Sequence, residues 1–168
     1  MVLRCKIRFS YIFLFTIVGA YIIFFSYITI LKHQSFMTGA FDLGIFSQAL
    51  STTIREGRMF YYSVENWPET GFITGNYLGR HFSPILLLLL PFFALFPYPE
   101  TLLIIQSILL ACTAIPIFIF AKDELKSDML ALCISIAFLL HPAVHGINWF
   151  DFHQQAFFPI LTMSAIVF

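Results

Sequence analysis

Charged side chains are what this sequence has least of: Lys, Arg, Asp and Glu make up 11% of its 168 residues, against about 25% in ordinary soluble domains. They are bunched, leaving long stretches with none, which excludes a soluble globular fold and makes the bilayer the expected solvent. Net charge is zero, so no nucleic-acid partner is expected. Cys5, Cys112 and Cys133 lack the paired spacing of a zinc site or a disulfide framework and read as buried thiols. There is no Asn-x-Ser/Thr, Walker loop, G-x-G-x-x-G or Cys-x-x-Cys, so soluble nucleotide-binding chemistry has no support. What is abundant is apolar surface. Of all residues 60% are hydrophobic and 18% aromatic, with 22 Phe, which suits lipid contact and excludes disorder.

The run from Phe9 to Leu31 carries no charge and is long enough for a hydrocarbon core of roughly 30 Å at about 1.5 Å per residue. It reads as a membrane anchor rather than a cleaved leader. Arg4, Lys6 and Arg8 precede it, which places the N-terminus in the cytoplasm. Between Arg80 and Lys122 the only charge is Glu100. Ser83 to Phe96 opens with Ser-Pro, contains Pro91 and stops at Pro97, and its shortness favours a re-entrant or interfacial helix over a crossing. A second span is expected over about 100–121, started by Pro99 and Glu100, then a cytoplasmic loop 122–128 with Lys122 and Lys126, and a third span over about 129–147. Pro116 and Pro142 are expected to kink these helices. An outer loop 148–154 and a partial span 155–168 complete the expected class: an all-α integral membrane protein, one truncated membrane domain, with a long extracytoplasmic loop over about 32–82. If the 83–96 segment crossed instead, the outer residues would be split between the two sides.

Within that loop, residues 41–57 (FDLGIFSQALSTTIREG) predict an amphipathic surface helix. Leu43, Phe46, Leu50 and Ile54 form its apolar face, Gln48, Ser51, Thr52 and Arg55 lie opposite, and Gly57 is the stop. Asp42 at its start is either a helix cap or first-turn acid or a catalytic carboxylate held at the membrane surface. Arg80 and His81 suit a lipid phosphate, or else snorkel at the interface. His141, His145, Asp151 and His153 form the densest titratable cluster. They are candidate ligands for a divalent metal, candidates for acid–base or phosphate-binding work, or polar residues that finish a helix beside the belt aromatic Trp149. Glu56, Arg58, Glu65 and Glu69 read as solvated loop charges.

Three blocks, FDLGIFSQAL, GRHFSPILLLLLPFFALFPYPETLLIIQS and HPAVHGINWFDFHQQAF, together resemble a prokaryotic multi-pass membrane family, a domain of unknown function placed in the GT-C glycosyltransferase superfamily. The resemblance runs from about Gly39 to Phe168. It implies a GT-C-like plan of N-terminal helices with surface helices in the first outer loop. It also implies a plasma-membrane location and transfer of a sugar from a polyprenyl-phosphate donor at the extracytoplasmic face. Asp42 would be the first-loop carboxylate and Asp151 the second-loop acid, both catalytic, while Arg80, His81 and His153 would bind the lipid phosphate. Where several GT-C families carry paired acids, this chain has the single Asp42. The later helices of that plan are absent, so the chain is expected to be an N-terminal portion, inactive unless those helices or a partner supplying them are present. The competing expectation is a non-enzymatic membrane protein: a carrier subunit, a His-rich metal binder or an inactive fragment.

Overall fold

Leu14, Val18, Tyr21 and Phe25 recur at the spacing that aligns side chains on one face of a helix. In the computed structural model, which describes residues 2–63 and 75–168, they are the buried face of α1 (Val2–Gln34). The side chains of Arg4, Cys5, Lys6 and Arg8, and all of Glu65 and Glu69, lie outside the described residues. The fold is all-α. After α1 come a π-helical turn (Ala40–Gly44), α2 (Ile45–Glu56), α3 (Tyr77–Arg80), a 3-10 segment (Pro84–Leu89) and α4 (Leu90–Leu95). Then follow α5 (Pro99–Cys112), α6 (Ala114–Leu125), α7 (Asp128–Leu139), α8 (Pro142–Trp149), a short 3-10 turn (Gln154–Ala156) and α9 (Phe157–Val167). Among the described residues there is no strand, only an isolated antiparallel bridge between Tyr61 and Asn76.

Among the described residues two apolar helices are long enough to cross a membrane, Phe9–Gln34 and Pro99–Leu125. The second contains the break between α5 and α6 at Thr113. Pro116 explains the position of that break, because a proline ring crowds the carbonyl four residues earlier and offers no N–H to it. At Pro142, the first residue of α8, α7 and α8 meet at a 44° bend. Pro84–Leu95 and Gln154–Val167 are shorter apolar helices.

The chain divides into two compact units. The first comprises Met1–Thr29, Ile104–Phe150 and Gln155–Phe168. Its core joins the α1 face to Leu110, Ala111, Ala114, Phe118 and Ala121 of α5 and α6, to Ala131, Leu132 and Leu139 of α7, and to Val144. The alanines let backbones approach closely, the way helices pack where lipid gives no hydrophobic drive. Polar groups add direction. Ser107 Oγ donates to Asn148 Oδ1 over 3.0 Å and Gln106 Nε2 to the Ile147 carbonyl over 3.0 Å, tying α5 to α8 through fully buried side chains. At the far end of α6, Lys126 closes the helix in the left-handed region and Lys122 Nζ reaches Asp128 at 3.1 Å, setting the turn into α7.

The second unit comprises Ile30–Leu103 and Asp151–Gln154. In α2, Ile45, Phe46, Ala49, Leu50 and Thr52 are buried and Ile54 is exposed. The buried face is therefore rotated from the expected one, with Thr52 inside and Ile54 outside. The cause is the returning chain: Thr52 Oγ1 donates to the Tyr61 carbonyl over 2.7 Å, and the Phe60 N–H donates to Thr53 Oγ1 over 2.7 Å. Gly57, at φ 65°, is the left-handed stop.

The α5–α8 tie is testable by a double-mutant cycle of Ser107→Ala and Asn148→Leu in bicelles. The expected coupling is about 0.6–1.7 kcal/mol of unfolding free energy, and a value of zero removes the bond from the account.

Candidate carboxylate site

The second unit holds a site organised around Asp151, which is 4% exposed. A buried carboxylate requires compensation, and this one receives it from two directions. Lys32 Nζ, one turn from the end of α1, lies 2.9 Å from Oδ1, and the Gly39 N–H donates to Oδ2. A cation at a helix C-terminus also complements the helix dipole. Between Lys32 and Gly39 the chain turns sharply, and His33 Nδ1 and Thr38 Oγ1 make a 2.8 Å hydrogen bond across the turn.

Space at Gly39 is tight. A Cβ there would stand 3.2 Å from Asp151 Oδ2 and 3.7 Å from Asp42 Oδ2. The two carboxylates therefore flank the same small volume. Asp42 is carried by the π-helical turn, closed by the Gly44 N–H donating to the Gly39 carbonyl over 3.3 Å. Such turns are rare and concentrate at functional sites. Leu43, buried beside it, anchors the turn in the unit's core. Gly39 occupies the cap position with no side chain to contribute, and Asp42 lies inside the first turn. Asp42 is therefore not the cap residue but a first-turn acid, and its carboxylate also faces His153.

His153 joins the two acids. Its Nδ1 is 3.0 Å from the Asp151 backbone carbonyl, and because a carbonyl only accepts, Nδ1 carries a hydrogen. Nε2 lies 3.1 Å from Asp42 Oδ1. Asp42 and His153 are each about one-third exposed, unlike Asp151. Phe46 supports the arrangement from α2, packing edge-on to Phe152 at 5.2 Å and to the His153 ring at 6.1 Å. Gln154 Nε2 donates to Tyr77 Oη over 3.2 Å, and the Tyr77 ring lies 5.5 Å from that of His81. Arg80 and His81 are exposed at the end of α3.

Of the residues singled out in the sequence, the structure thus brings Asp42, Asp151 and His153 into direct relation and puts Arg80 and His81 in the same unit. His141 and His145 belong to the other unit and do local work. His141 Nδ1 accepts from the Ala143 N–H over 3.2 Å, capping α8. His145 Nε2 donates to the Leu139 carbonyl over 2.7 Å and packs on Phe25. Among the described residues no group of three His, Cys, Asp or Glu side chains that could hold a metal ion is found. Sequence reasoning missed Lys32 and Gly39. Lys32 had a signal: it stands alone at the end of the apolar run opposite Arg4, Lys6 and Arg8, where a cation wants a partner.

Removing one member of a buried ion pair strands the other, so Lys32→Met should destabilise the protein by about 3–5 kcal/mol, and Lys32→Met with Asp151→Leu should recover most of that loss. Thermal unfolding in nanodiscs checks both; equal losses in the single and double variants would refute the pairing.

No curated protein and no solved structure matches the chain. A family model described as "Predicted membrane protein (DUF2079)" matches residues 32–168. That match takes in α2 through α9, Lys32 and both carboxylates, and it agrees with the apolar helices Phe9–Gln34 and Pro99–Leu125. The chain belongs to this DUF2079 family of membrane proteins.

Proposed function

We propose that this chain supplies the outer-face carboxylate site of a GT-C-like membrane glycosyltransferase that uses a polyprenyl-phosphate-linked sugar. The observation that carries the reading is the division of labour between two adjacent acids. Asp151 is buried and neutralised by Lys32 and Gly39, whereas Asp42 is reachable and aimed by His153. Asp42 is then the general base and Asp151 a positioning residue, because a carboxylate already holding a cation and an N–H is a poor proton acceptor. In the reaction, Asp42 takes the acceptor hydroxyl proton as the acceptor oxygen bonds to the sugar C1. The bond from C1 to the phosphate oxygen breaks, and its electron pair leaves with the polyprenyl phosphate. Arg80 and His81, exposed on the same unit, supply donors for the charge that develops on that phosphate.

The topology that goes with this reading is multi-pass in the plasma membrane. The N-terminus and the Lys122–Lys126 turn face the cytoplasm, in accord with Lys/Arg placement, and the carboxylate site faces outward. Pro84–Leu95, too short to cross by itself, lies at the outer surface as a re-entrant or interfacial helix.

In membranes containing the full-length protein and a radiolabelled polyprenyl-phosphate sugar, Asp42→Asn should lower transfer by about 100-fold or more while insertion and abundance stay unchanged. Wild-type transfer by that variant would overturn the assignment of the base.

A further inference from the structure

α1 ends in a backbone motif that ordinarily takes glycine. The Met37 N–H donates to the Lys32 carbonyl over 3.1 Å and the Phe36 N–H to the His33 carbonyl over 2.9 Å. These are the two closing bonds of a Schellman motif, which puts the residue just past the helix in the left-handed region. Here that residue is Phe36, at φ 58°. Glycine adopts this conformation freely and a residue with a Cβ does so at a cost. Phe36 recovers none of that cost by packing within the chain: it is 95% exposed, with Met37 67% and Phe41 55% exposed.

A strained aromatic that buries nothing is worse than glycine on both counts if its surroundings are water. The balance reverses if they are lipid, since an apolar ring then gains transfer free energy. The position fits. Phe36 and Met37 follow the apolar helix Phe9–Gln34 after the single residue Ser35 and are flanked by Lys32, His33 and Thr38, an apolar tip with polar shoulders suited to the headgroup–acyl boundary. We propose that the Phe36–Met37 corner inserts into the bilayer surface and, through residues 38–41, holds the Asp42 turn at the membrane boundary. The partner is the bilayer itself, and the inference stands independently of sugar transfer.

The test uses full-length protein in phosphatidylcholine–phosphatidylglycerol vesicles, with Trp67→Phe and Trp149→Phe removing the native indoles. A Phe36→Trp reporter should be quenched by at least half by lipids brominated near the top of the acyl chain and little by aqueous acrylamide. Quenching by acrylamide alone would mean water at this corner, and quenching by neither would mean a covering protein; either overturns the proposal. The companion variant is Phe36→Gly, which suits the left-handed backbone and so keeps the fold. In nanodiscs its Tm should be unchanged or raised, while a Phe41→Trp reporter in the same variant loses at least half of its bromolipid quenching. A lowered Tm would overturn the strain argument, and undiminished quenching at position 41 would overturn the anchoring role.

Discussion

A carboxylate taken out of water has to be answered by charge and hydrogen bonds at every oxygen, and Asp151 shows what that requirement imposes on a chain. One oxygen holds Lys32 to the end of α1, the other holds the Gly39 backbone, and its carbonyl fixes the tautomer of His153. Two segments distant in sequence, 32–39 and 151–153, are thereby set against one another within the second unit. The π-helical turn that follows Gly39 inherits its position from that anchor, and Asp42 inherits its orientation from the turn and from His153. Loss of this one carboxylate would release both Lys32 and the Gly39 backbone, whereas loss of Asp42 would leave those two restraints in place.

The first unit solves a different problem with different means. Its helices pack through alanines and long apolar residues, with Ser107, Gln106 and Asn148 providing the directional bonds between α5 and α8. Between helices of low polarity such bonds are individually modest, yet they fix rotation and register where apolar packing alone would tolerate sliding. His141 and His145 serve the same end. Capping α8 and satisfying the Leu139 carbonyl at the Pro142 bend, they hold a corner that the proline opens.

Much of this was legible in the sequence because apolar length and proline placement act locally. The charge-free run from Phe9, the short Pro84–Leu95 helix, the α2 segment and the bend at Pro142 follow from rules that need only near neighbours. Asp42, Asp151 and His153 were visible as chemistry-bearing residues, though not as partners. Their relation depends on Lys32 and Gly39, distant in sequence from Asp151, and no periodicity encodes contacts of that range. The buried side of α2 was misjudged at Thr52 for a kindred reason: a hydroxyl looks polar until a carbonyl from a returning segment comes to meet it. The histidine cluster is continuous along the chain, yet the boundary between Phe150 and Asp151 assigns His141 and His145 to the first unit and Asp151 and His153 to the second.

The central claim is that Asp42 and His153 are adjacent across the space beside Gly39. It is tested most directly by cross-linking Asp42→Cys with His153→Cys in native membranes, using a short bis-thiosulfonate reagent, full-length protein, a background with Cys5, Cys112 and Cys133 replaced by Ala, and a protease site placed between the two positions. The account predicts that the cleaved halves stay joined until reductant is added. Halves that separate without reductant in the 42–153 pair would contradict it.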